Sequence, residues 1–132
     1  MFGKKKQPPI RSLIAQGTVI EGNLKFSDGL RIDGEVIGDI RAADGGTSIL
    51  VVSESASVRG GIYADHVIIN GRVMGPVHAS DLLELQPKAK IAGDVSYKAL
   101  EMHQGAVIFG QLRPTSQEME EKPILKLAAN NP

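Results

Sequence analysis

A chain of 132 residues has room for one modest core, and with aromatics at 4%, no Trp and no Cys that core must be stacked aliphatic side chains without disulfides or thiolate metal sites. The net charge of zero is unevenly spread: residues 1–11 carry four basic residues and no acid, while residues 12–112 carry 8 basic and 12 acidic residues. An acidic body argues against nucleic acid as a partner, because phosphate binding needs a basic face.

The first unit, residues 1–11, is a basic arm that opens with Met1, Phe2 and Gly3, continues with Lys4, Lys5 and Lys6, and ends at Arg11 after Pro8-Pro9. It has no apolar stretch of signal-peptide length, and position 2 is not Gly, so neither secretion nor myristoylation is expected. Met1, Phe2, Lys4, Lys5 and Lys6 form a candidate membrane-binding set. Each Lys near anionic headgroups contributes about 1 kcal/mol and a buried Phe about 1.5–3 kcal/mol. That sum is marginal for one molecule and grows when many arms are displayed together.

The body, residues 12–112, is organised by an internal repeat. Six segments end on an aliphatic residue, a spacer, Gly, a spacer and another aliphatic residue. In chain order they run Ile20–Leu24, Val36–Ile40, Val58–Ile62, Val73–Val77, Ile91–Val95 and Ile108–Leu112. The repeat spans roughly 18 residues. Upstream of each lies a second aliphatic pair at i, i+2: Leu30/Ile32, Leu50/Val52, Val67/Ile69, Leu83/Leu85 and Leu100/Met102, with Ser12 and Ile14 in these places in the first segment. Ala56, Ala89 and Ala106 share one position between the pairs. Within a segment the period is two, so Leu30, Ile32 and Val36 point inward, with Arg31, Asp33 and Glu35 in water. No apolar stripe of helical spacing runs through the body. The expected fold is all-β, a single-stranded parallel β-helix of about six rungs, roughly 24 Å tall. Gly22, Gly38, Gly60, Gly75, Gly93 and Gly110 are expected to stack along one corner. Ala42 to Gly46 lengthen one turn into a surface loop.

A solenoid has two open ends, and no capping element is legible at either. Before the first rung stand eleven residues with Pro8-Pro9; after Leu112 come Arg113-Pro114 and a polar tail, residues 113–132, expected to be disordered. Ile108, Phe109 and Leu112 at one end and Ile14 at the other are the candidate polymerisation surface.

With the repeats laid out, the chain resembles the bactofilin family. The resemblance rests on the Gly-rich aliphatic pattern through residues 12–112, the phrase Leu30 to Ile40 (LRIDGEVIGDI), the short arm beginning MFGKKK and the unpatterned polar tail. It implies a right-handed coil that stacks end to end into filaments without nucleotide or other cofactor. It implies further a cytoplasmic scaffold on the inner face of the cytoplasmic membrane, not an enzyme, which serves cell-shape or cell-wall synthesis machinery. The partners implied are the protein itself, anionic membrane lipids and cell-wall synthesis or remodelling proteins.

The rival reading is an acyltransferase on a left-handed hexapeptide β-helix, suggested by Leu24, Leu30 and Val36 at i, i+6. Such an enzyme needs a catalytic base. His66, His78 and His103 fall at different phases of the repeat and read as solvated surface residues. Asp28, Asp33, Asp39 and Asp94 are dispersed over separate rungs, whereas calcium needs six to eight converging oxygens; they read as outer-face residues. A secreted β-solenoid would require the missing signal peptide, and an ice binder a Thr array, but Thr occurs only at positions 18, 47 and 115.

Overall fold

The computed structural model describes residues 8–115 and contains fifteen strands with no helix among them. They are β1 (Ile10–Ile14), β2 (Val19–Glu21), β3 (Leu24–Phe26), β4 (Gly29–Ile32), β5 (Glu35–Ile37), β6 (Ile40–Ala42), β7 (Ile49–Val52) and β8 (Ser57–Arg59). The series continues with β9 (Ile62–Ile69), β10 (Arg72–Met74), β11 (Val77–Leu85), β12 (Lys90–Ala92), β13 (Val95–Met102), β14 (Val107–Phe109) and β15 (Leu112–Pro114). Every pairing is parallel, and each strand pairs with its counterpart about one repeat away. The result is a β-solenoid of six turns with three faces.

The first face is β1, β4, β7 and the second halves of β9, β11 and β13. The second is the six-stranded sheet β2-β5-β8-β10-β12-β14. The third is β3, β6, the first halves of β9, β11 and β13, and β15. In β9, β11 and β13 the chain passes from the third face to the first within one strand, with a register irregularity between Ala79 and Leu82.

Beside a buried column of Leu30, Leu50, Val67 and Leu83 on the first face, alternation gives each face a continuous inward column. On the first face it is Ile14, Ile32, Val52, Ile69, Leu85 and Met102. On the second it is Ile20, Val36, Val58, Val73, Ile91 and Ile108. On the third it is Leu24, Ile40, Ile62, Val77, Val95 and Leu112. Leu, Ile and Val fill all but one of these places, so the core is a stack of aliphatic layers, each residue roughly 4.8 Å above its counterpart. Ala56 and Ala89 are buried at the corner beside the second face.

The repeat length varies at one corner. Ala15–Thr18, Ser53–Ala56, Gln86–Ala89 and His103–Ala106 form four-residue turns, whereas Asp33-Gly34 and Asn70-Gly71 cut the corner in two. The lengthened turn Ala43–Thr47 carries Gly45 and Gly46 at positive φ and lies on the surface. Ile10 and Arg11 belong to β1, and Arg113 and Pro114 stand in register with Ser96 and Tyr97, so parallel strand structure runs from Ile10 to Pro114.

Candidate functional site

Of the features that could carry function, the rod's ends and the corner that holds its rungs together are the best defined. At the corner after the second face, Gly38, Gly60, Gly75, Gly93 and Gly110 each sit above the preceding glycine of the series. A Cβ on Gly60 would fall on the carbonyl oxygen of Gly38, and the same collision repeats at each step up the stack. Gly60 also has φ +154°, a region that L side chains rarely adopt. The glycine N–H groups of the corner donate to the next rung, as Gly60 N does to Met74 O at 3.0 Å. Close backbone approach therefore requires glycine here as much as the turn does.

Asp39 and Asp94, each next to a corner glycine, were read from the sequence as solvated, and the structure gives them and Asn23 a bond. Asn23 Oδ1 accepts from Asp39 N at 2.9 Å, Asp39 Oδ1 from Gly61 N at 2.8 Å, and Asp94 Oδ1 from Gln111 N at 2.9 Å. Gly61 and Pro76 offer no side-chain acceptor, and Pro76, above Gly61, has no N–H to satisfy. Short polar residues beside a Gly corner were the available signal.

The inward columns run out at the C-terminal end. Met102 and Leu112 are each 46% exposed, while their partners one rung below, Leu85 and Val95, are fully buried. Ile108 is half-buried and completes the same terminal layer. Met102, at the expected upper pair position, thus joins Ile108 and Leu112 on this surface.

Phe109, expected in the end contact, is 70% exposed but stands on the outward side of β14. The alternation that turns Ile108 in turns Phe109 out, above Ala92 and Met74 on the rod's flank. It rims the end instead of filling its centre. At the opposite end Ile14, expected on the surface, lies in the core at 8% exposure because it stacks directly on Ile32. The exposed apolar groups there are Ile10, Leu13 and Val19, which face outward or precede the regular ladder. Met1, Phe2, Lys4, Lys5 and Lys6 lie outside the described residues.

The three histidines occupy different places. His78 stands on the third face with Nδ1 2.8 Å from Ser96 Oγ, and His103 opens a corner with Nε2 3.6 Å from Glu84 Oε2. His66, read as a surface residue, is buried: it lies in register between Ile49 and Leu82 where β9 crosses from the third face to the first. Beside it Asp65 accepts bonds from the backbone and hydroxyl of Ser48 and from the Ser80 hydroxyl, which ties three rungs together. No helix among the described residues is long and apolar enough to cross a membrane.

The rod thus presents an apolar terminal layer at its C-terminal end. No solved structure matches the chain. Its sequence is 30% identical to bactofilin BacO of Myxococcus xanthus (strain DK1622) over 121 residues, which covers 92% of this chain and 90% of that protein. The family model described as "Bactofilin: Polymer-forming cytoskeletal" matches residues 12–113, the six rungs and little else. The chain belongs to the bactofilin family of polymer-forming cytoskeletal proteins.

Proposed function

We propose that the protein is a non-enzymatic cytoskeletal scaffold whose rods join end to end into filaments without nucleotide, and whose N-terminal arm tethers those filaments to the inner face of the cytoplasmic membrane. The observation that carries the assembly half is the terminal layer of Met102, Ile108 and Leu112. Two of these are nearly half exposed at positions buried in every interior rung. Stacking a second rod there removes that apolar surface from water and pairs the open strand edges of β13, β14 and β15. Membership of a polymer-forming family supports the same reading.

The arm contributes in the manner its composition allows. Phe2 partitions into the headgroup region and Lys4, Lys5 and Lys6 attract anionic lipid, with a strength that a filament multiplies by presenting many arms. A membrane-bound filament then positions cell-wall synthesis or remodelling proteins along the cell surface.

Electron microscopy and sedimentation test assembly. Wild type is expected to form filaments in nucleotide-free buffer, and Leu112→Arg to remain a rod of unchanged β content. Phe109→Arg, on the rim, is expected to weaken assembly less. Filaments from Leu112→Arg as abundant as those of wild type would refute the end contact. Deletion of residues 1–7 is expected to leave filaments intact but abolish their sedimentation with anionic liposomes. Undiminished liposome binding would remove the arm's role.

A further inference from the structure

Glu84 and Glu101 stand opposite each other on the neighbouring parallel strands β11 and β13, between inward residues that point the other way. Like charges in register repel. The column beneath them continues with Ile68 and Val51, so the next two rungs supply no countercharge there. Elsewhere on the rod Asp33, Glu35, Glu54 and Asp94 each have an Arg or Lys partner. Glu84 has His103 instead, with Nε2 3.6 Å from its Oε2. One carboxylate oxygen from each Glu and a ring nitrogen of His103 all lie within 4.8 Å of one another.

We propose that Glu84, Glu101 and His103 bind one divalent transition-metal ion of the zinc type. Such an ion neutralises the carboxylate pair and ties the last half-strand, Ala99–Met102, to the rung beneath. The donor set selects the metal: one imidazole and two carboxylates suit zinc and its neighbours with water completing the sphere, while calcium needs six to eight oxygens. Tetrahedral coordination with bonds near 2.1 Å asks for donors about 3.4 Å apart, and the donors, already within 4.8 Å of one another, would close the rest through the exposed Glu101 and His103 side chains.

The anchors of the site are rigid. Glu84 and Glu101 are fixed by the ladder, and His103 N donates to Leu85 O at 2.9 Å. Gln86 Nε2 donates to Glu84 Oε2 at 3.4 Å and orients that carboxylate from outside the coordination sphere. The proposal stands independently of end-to-end assembly.

Equilibrium dialysis of the full chain against Zn2+ is expected to show one saturable ion per chain. Glu84→Gln, Glu101→Gln and His103→Ala should each weaken binding by more than about tenfold with unchanged circular dichroism. His78→Ala serves as the control for the other exposed imidazole and should bind as wild type does, and millimolar Ca2+ or Mg2+ should not displace the zinc. As a second readout, Zn2+ should slow amide exchange at Ala99–Met102 in wild type and not in Glu84→Gln. The site is refuted by the absence of 1:1 binding, by wild-type affinity in any of the three ligand variants, by loss of binding in His78→Ala, by displacement with Ca2+, or by unchanged amide exchange on zinc addition.

Discussion

The middle of the rod and its ends are built from one repeat, yet the same position means different things in the two places. Val58 and Ile108 occupy one inward column of the second face; Val58 has rungs on both sides and is fully buried, whereas Ile108 has a rung on one side only. The ends differ from each other as well. Ile14 and Met102 close the same column, but Ile14 is 8% exposed and Met102 46%. An interior rung uses its apolar residues for folding, and the C-terminal rung has apolar surface left over for association.

The sharpest way to break this comparison is to place one charge at each location. Val58→Arg buries an unpaired guanidinium in a filled layer and is expected to cost more than about 4 kcal/mol, enough to unfold the rod. Leu112→Arg puts the same charge where water reaches it and is expected to cost less than about 1 kcal/mol while assembly stops. Thermal melting by circular dichroism, paired with sedimentation, separates the two. Equal destabilisation would mean that the terminal layer is as structural as the middle.

The next contrast uses glycines. Gly60→Ala drives a methyl onto the Gly38 carbonyl in addition to the positive-φ cost, and about 3 kcal/mol of destabilisation is expected. Gly17, in the first corner, also has positive φ, at +92°, but a Cβ there meets nothing within 4 Å. Gly17→Ala is therefore expected to cost about 1 kcal/mol, the conformational part alone. Both are measured in the Leu112→Arg background, because polymerisation would otherwise add to apparent stability.

How far these places were legible in the sequence follows from the same physics. The period of two, with an inward residue fixed by its neighbours, reads off the inward columns without coordinates, and a step near 18 residues stacks them. The glycine corner was legible for the same reason. The outward place of Phe109 was legible in the alternation through Ile108 and in the varied residues at the matching position of the other rungs. The burial of Ile14 needed coordinates, because a residue in the first rung is covered only as far as its stacking on Ile32 reaches. His66 was illegible because β9 runs from one face to the next, and a crossing strand breaks the simple in-and-out rule. The Glu84, Glu101 and His103 cluster needed register, since Glu84 lies 17 and 19 residues before the other two and meets them only when the rungs are aligned.

The smallest expected effect comes from the corner caps, and it tests whether one bond is worth less at the end than inside. Asp39 Oδ1 holds the N–H of Gly61 in the third rung, and Asp94 Oδ1 holds the N–H of Gln111 in the last. Removing Asp39 leaves a half-buried amide between two rungs that cannot separate, so Asp39→Ala is expected to cost about 1.5–2 kcal/mol. In Asp94→Ala the freed amide belongs to the terminal rung, where a small displacement of Gln111 lets water replace the carboxylate. The Arg113 guanidinium, 3.3 Å from Asp94 Oδ2, is lost as a partner too, but at 60% exposure that pair adds little. Asp94→Ala is expected to cost less than about 1 kcal/mol in the non-assembling background. In the wild-type background the same substitution should cost more, because a second rod stacked on the last rung excludes the water that would otherwise satisfy Gln111. Denaturant melts of the four variants give the comparison directly. An Asp94→Ala penalty equal to that of Asp39→Ala in the unassembled rod would show that the terminal rung is as closely held as the interior.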